Sequence, residues 1–385
     1  MRSALVVVLA GTLLHCATSA PVKPEPNPGA EATLSENQVA ALIPPKVQSA
    51  EGWARDVMDA LGAQGLPASR ENVCSVLAII SQESSFQENP AVPNLAPIVR
   101  TRITAYESKL GPLGKPAFHA LMDGKAPGTD LSFEQRLARV HTERDVDRIF
   151  RDLLEFYQKA HPLTFGAAQL ADRLFNSGRL EDLNPITTAG CMQVSVRFAL
   201  EQPETRKLSI SELRDSLYTR HGGVHFGTAR LLRYRAAYDA ALYRFADYNG
   251  GMYSSRNAAV QHQVADLTGI ALTSDGDLQA YGKSGQPLAE SSKSLRALLA
   301  FAAEYPPGLS EGQVREDVAK EKDAGFEGTR TYQLLKRVYR ERTGKTPAYA
   351  ELPNVVISSP KMSHDRSTAW YANAVQRRYD ECQRK

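Results

Sequence analysis

From Gly52 onward, apolar residues recur at spacings of three and four almost throughout the chain, which predicts an all-α fold. Helical patterns cover 53–61, 69–86, 98–110, 133–160, 165–174, 209–218, 224–238 and 240–248. The 133–160 stretch reads as one long helix or two jointed ones with a solvated, charged face. Beyond Gly269 the character changes. A small hairpin is expected around Asp275-Gly276, followed by helices over 292–304, 311–322, 328–343 and 368–383. Pro-broken or Gly-rich pieces at 89–97 and 111–128 interrupt the first half, and no internal repeat is present.

One of these patterns carries an anomaly. In 69–86, Val73, Val76, Leu77 and Ile80 form a single apolar stripe, with Ser69 as N-cap and Glu71 in the first turn. The stripe continues onto Glu83. Either the helix frays and Glu83 meets water, or an acid closes an apolar face. In the second case lost hydration disfavours its charged form and raises its pKa, as a general acid working near neutral pH requires.

The first 20 residues read as an export leader, with Arg2 followed by an apolar core over 4–14 that is too short to span a bilayer. Cleavage is expected after Ala20 or, if the segment before Cys16 is a lipoprotein box, at a lipidated Cys16; His15 departs from that box. Residues 21–48 read as a Pro-rich tether. No later stretch is apolar and long enough to cross a membrane. These features predict a periplasmic protein open to outer-membrane anchoring through Cys16.

Composition narrows the partners. The 385 residues carry 46 basic and 43 acidic side chains, a net charge of +3, so nucleic acid is not the expected partner. A 42% apolar share suffices for a real core. The four cysteines fit no zinc spacing; in an exported chain, a Cys74–Cys382 bridge that fixes the last helix is the expected pairing. His221 and His225 stand four apart, but Gly222-Gly223 between them is read as a helix break, so no metal is expected. Residues 276–284 miss the phosphate-loop spacing by one residue, and no Gly-x-Ser-x-Gly elbow occurs. The arginines at 230, 233 and 235 read as a solvated helix face.

Three short segments remain: Glu83-Ser84-Ser85-Phe86, Ala189-Gly190-Cys191-Met192-Gln193-Val194 and Tyr248-Asn249-Gly250-Gly251. In that order, on a helical exported chain, they resemble the motifs of lytic transglycosylases of the soluble-transglycosylase and goose-lysozyme-like superfamily, over about residues 53–263. Cys191 stands where that family has Leu, and Asp247 where it has Ala; Asp247 is read as a surface residue, the alternative being a group that tunes substrate choice. About ninety extra residues separate the first two motifs, tolerable as a helical subdomain because loop length costs little closure entropy.

The resemblance implies a lysozyme-like catalytic domain over 49–270 with an insertion at about 89–185, and a helical C-terminal extension over 271–385. It implies a monomer that cleaves the β-1,4 bond between N-acetylmuramic acid and N-acetylglucosamine in peptidoglycan strands, without cofactor or metal. Glu83 would be the single general acid and base. Ser84, Met192 and Gln193 would line the glycan groove. Tyr248, with Asn249, would hold the Glu83 carboxyl by hydrogen bonds, and Phe86 would be structural. Two rivals stand beside it: a water-using muramidase on the same fold, and a wall-binding lipoprotein without activity.

Overall fold

The computed structural model describes residues 32–112, 114–160, 184–282, 285–305, 308–357 and 365–385. The leader with Cys16, the first part of the tether and the expected helix over 165–174 lie outside the described residues.

The chain is predominantly helical, as the periodicity predicts. Before the second motif come α1 (Glu36–Leu42), α2 (Ala50–Ala63), α3 (Arg70–Glu83), α4 (Leu95–Glu107), α5 (Gly114–Asp123), α6 (Phe133–Leu137) and α7 (Glu143–Ala160). After it come α8 (Val196–Leu200), α9 (Ile210–Leu217), α10 (Arg220–Leu232), α11 (Ala241–Gly250) and α12 (Ser254–Thr268). The chain closes with α13 (Lys293–Glu304), α14 (Glu311–Val318), α15 (Arg330–Thr343) and α16 (Thr368–Gln383). Two minimal antiparallel ribbons interrupt the helices: β1 (Thr188–Ala189) with β2 (Val194–Ser195), and β3 (Val356–Ile357) with β4 (Arg366–Ser367).

Three apolar cores organise these elements. The first gathers Val39, Trp53, Val76, Ile80, Met192, Phe245 and Tyr371. The second, built on α12–α15, contains Val260, Leu298, Phe301, Val314 and Leu335. The third, within residues 95–186, gathers Leu95, Phe133, Val146, Ile149 and Ile186.

α3 sits at the centre of the first core. Ser69 caps it, its hydroxyl accepting from the Asn72 N–H. Every residue from Val73 to Ile80 is buried, so the expected single stripe is corrected: α2, α10 and α16 pack around α3, and water touches it only near its ends.

Other expectations are corrected as well. The tether ends sooner, because α1 is capped by a reciprocal Ser35–Gln38 box and buries Val39 and Leu42 in the first core. The hairpin around Asp275-Gly276 does not form. Gln261 of α12 reads that turn instead, accepting from the Gly276 N–H at 2.8 Å and donating to Asp275 at 2.7 Å. Gly222-Gly223 does not break a helix, since α10 runs straight through it. The last helix behaves as expected: α16 returns to the first core and packs on α3 and α11. The Cys74–Cys382 disulfide pins that return, with 5.6 Å between the Cα atoms. Among the described residues, no helix is long and apolar enough to cross a membrane.

Candidate functional site

Glu83 is the last residue of α3 and is half-buried. Immediately beyond it the backbone leaves ordinary space: Ser85 has φ 51° and Phe86 φ 62°. Gln193 (φ 50°), in the second motif, and Tyr253 (φ 63°), just after the third, share this left-handed conformation. Side-chain-bearing residues adopt it at a cost of about 1–3 kcal/mol, and such strain gathers at functional sites. Phe86 is held in the first core with its ring edge-on to Trp53, a structural role as expected.

The second motif is the tight turn between β1 and β2. Gly190, at φ 78°, passes so close to α9 that a Cβ there would stand 2.0 Å from the Leu217 carbonyl oxygen. Met192 points inward and is fully buried, where a Cβ on Gly227 of α10 would stand 2.3 Å from its sulfur. This corrects the groove-lining role expected of Met192: its side chain fills the core. Gln193 is half-buried and engaged on both ends, its Oε1 accepting from Thr188 at 2.8 Å and its Nε2 donating to Glu143 at 2.9 Å. Glu143, itself buried, comes from the start of α7.

The third motif closes α11. The Tyr248 hydroxyl donates to the Met192 carbonyl at 2.7 Å, so its one hydrogen goes to the second motif and not, as expected, to Glu83. The two groups are still neighbours. Burial first, and then the nearby Glu83 charge, push the Tyr248 phenol well above its ordinary range. Arg230 covers the same tyrosine, with its guanidinium 5.9 Å from the ring centroid. Asn249 is exposed at the helix end. Ser84 is buried, and its hydroxyl donates to the Ile80 carbonyl at 3.0 Å, the behaviour of a helix-terminal serine.

Tyr371 of α16 donates to Glu83, its hydroxyl reaching Oε1. Sequence reasoning missed it. Tyr371 is 6% exposed, and burial followed by the Glu83 charge holds its phenol protonated far above the ordinary range. One protonated phenol thus holds the carboxylate, and a second, on Tyr248, lies within range of its charge. The signal that could have raised Tyr371 is the cysteine pairing, because a bridge from α3 to the last helix brings that helix's tyrosines toward Glu83.

The geometry can now be set beside known proteins. Residues 46–385 match the family described as Protein of unknown function (DUF1615). The chain belongs to the DUF1615 family. It is 34% identical over 384 residues to "Uncharacterized protein YaiW" of Escherichia coli (strain K12), a match that covers 99% of this chain and 96% of that protein. No solved structure matches.

Other chemistry-bearing groups in this DUF1615 protein are engaged structurally. Asp247 is buried, which corrects its reading as a surface residue. It accepts from the Tyr234 and Tyr238 hydroxyls, from Ser254 Oγ, and from the N–H groups of Tyr253 and Ser255. Desolvation nonetheless raises its pKa. Cys191 is buried, and its thiol is pushed up to about 12 by burial, which leaves it unreactive. Among the described residues, Asp56, Asp59 and His221 offer a metal three ligand atoms within 4.8 Å of one another, but Arg220 already donates to Asp56. Arg233 pairs with Gln64, Gln202 and Glu204, and Arg230 lies against Tyr248, so that face is less solvated than its charges suggest.

Proposed function

We propose that this protein is a peptidoglycan lytic transglycosylase, built on a lysozyme-like domain, in which Glu83 acts alone as acid and base. One observation carries the reading. The second and third motifs meet, with the Tyr248 hydroxyl on the Met192 carbonyl, and the Glu83 charge is felt at the Tyr248 phenol. Left-handed backbone at Ser85, Phe86 and Gln193 is the accompanying strain.

The chemistry follows from the residues. A protonated Glu83 gives its proton to the bridging oxygen between N-acetylmuramic acid and N-acetylglucosamine, and the bond to C1 breaks. The sugar's own acetamido group stabilises the cation at C1, which removes the need for a second carboxylate. The muramic C6 hydroxyl then attacks C1 and gives its proton to Glu83. The ring closes as a 1,6-anhydro sugar and the acid is restored, with no water consumed. Tyr248 and Tyr371, kept protonated by burial, remain hydrogen-bond donors through the cycle.

Ser84, Met192 and Gln193 support this site through its frame. Ser84 closes the helix that carries Glu83, and Met192 presents its carbonyl to Tyr248. Asn249 is exposed at the end of α11, which leaves its side chain open to the glycan in this reading. The export leader and Cys16 fit a monomer working in the periplasm and tethered to the outer membrane, where its substrate lies.

A muramidase reading has one observation of its own. Glu143 brings a second buried carboxylate against Gln193, and hydrolysis with water needs such a group. Glu83→Gln tests the catalytic reading: the variant should lose nearly all clearing of purified cell-wall sacculi, while retained clearing removes Glu83 from the mechanism. Glu143→Gln separates the two reactions, since a muramidase loses its hydrolytic product and a transglycosylase keeps its anhydro product. Sacculi that bind the wild-type protein and stay intact would favour the non-catalytic wall-binding rival.

A further inference from the structure

We infer that Tyr371 is a positioning residue for Glu83, so that the C-terminal helix α16 belongs to the candidate active site. The inference rests on the catalytic reading of Glu83 and adds a residue that none of the three motifs contains.

The geometry of the α3–α16 pair carries it. The two helices pack side by side and are joined at two places. Near the start of α3 and the end of α16, the Cys74–Cys382 bridge fixes the pair; the Arg70 side chain donates to the Cys382 carbonyl, and the Gln383 side chain donates to the Arg70 carbonyl. At the opposite end, Tyr371 donates to Glu83 Oε1. The joints stand roughly 13–17 Å apart along the helices, at about 1.5 Å of rise per residue. A helix anchored covalently at one end and packed along its length delivers its tyrosine with little freedom, which is what holding a reacting carboxyl requires.

The bond acts on one oxygen of the carboxyl. It fixes rotation about the last side-chain torsion, and therefore which oxygen is presented to a substrate. It also favours the ionised carboxylate, because a phenol donates more strongly to a charged acceptor. That state is the one that receives the C6 hydroxyl proton in the second half of the reaction. Among the described residues, Tyr248 from α11 and Arg230 from α10 also act on Tyr371, and Cys191 from the β1–β2 turn acts on Tyr248. Burial raises the Tyr248 phenol and the Cys191 thiol, so both stay protonated through the neutral range. A change seen on removing the Tyr371 hydroxyl near neutral pH therefore reports on Glu83.

Tyr371→Phe removes one oxygen and keeps the ring that packs in the first core. On soluble glycan strands, the variant should show an unchanged KM and a kcat lower by about ten- to hundredfold, the size of a lost hydrogen bond to a charged group. The alkaline limb of its pH–rate profile should move upward. Carbon NMR of the Glu83 carboxyl, assigned with Glu83→Gln, gives a readout independent of turnover, and its titration midpoint should rise by about half a unit or more. An unchanged carboxyl titration overturns the inference, whether or not activity falls. If the wild-type protein cleaves no glycan, the catalytic reading fails, and the titration still decides whether Tyr371 holds Glu83.

Discussion

The Tyr248 hydroxyl donates to the Met192 carbonyl at 2.7 Å, and this bond joins the end of α11 to the turn whose methionine fills the core beside α10. It links two motifs that the chain keeps more than fifty residues apart. Tyr248→Phe leaves a carbonyl without its donor in a buried setting. Stability should fall by about 1–3 kcal/mol, read from the midpoint of denaturant unfolding. Glycan cleavage should fall with it. A midpoint equal to wild type would mean that the bond is not formed.

Gly227 and Met192 should behave as a coupled pair. Gly227→Ala places a methyl group 2.3 Å from the methionine sulfur and should destabilise by about 1–3 kcal/mol through overpacking. Met192→Ala leaves a cavity and should cost about 2–5 kcal/mol. The double variant should lose less than the sum, since the new methyl group enters the space the methionine vacates. Strict additivity would contradict the packing described.

Removal of the disulfide tests the seating of the last helix. A Cys74→Ala/Cys382→Ala variant should lose about 2–5 kcal/mol of stability, because the bridge joins residues separated by 308 positions and restricts the unfolded chain strongly. Amide exchange should quicken first in α16. Uniform exchange across the first core would argue that packing alone holds the helix.

How much of this was legible follows from the kinds of residues involved. The Ser69 cap, the Cys74–Cys382 pairing and most helices were readable because each depends on local spacing or on few partners. α12 was missed because its first turn and part of its buried surface are polar: Ser254, Ser255, Arg256, Asn257 and Gln261 are buried and held by hydrogen bonds, which masks the apolar period of Val260 and Val264. Asp247 looked like a surface acid for a related reason, since its five donors come from residues without a recognisable motif. Glu83, Met192 and Tyr248 could be grouped by their motifs, but a hydroxyl's acceptor is a matter of ångströms. The choice of Tyr371 for Glu83, and of Met192 for Tyr248, became visible only when the helices were in place.

Lys336 should give the protein a measurable pH dependence. Burial pushes its ammonium down to about 8, while its Nζ donates to the Ala348 carbonyl at 2.9 Å. The folded pKa is therefore below the ordinary value of 10.5. Between those two values the unfolded chain holds a proton that the folded chain has released, so this group's contribution to stability rises with pH and is lost as pH falls through about 8. Lys336→Met should remove that slope. Denaturant unfolding of both proteins at several pH values across the window checks it, and an identical slope in the variant would contradict the assignment.

The most direct test of the central claim is the mass of the sugar ends released from sacculi. Mass spectrometry of muropeptides freed by the wild-type protein should find 1,6-anhydro-muramic ends, one water lighter than reducing ends, and Glu83→Gln should release almost none. Reducing ends in their place, or anhydro ends undiminished in Glu83→Gln, would contradict a transglycosylase worked by that single carboxyl.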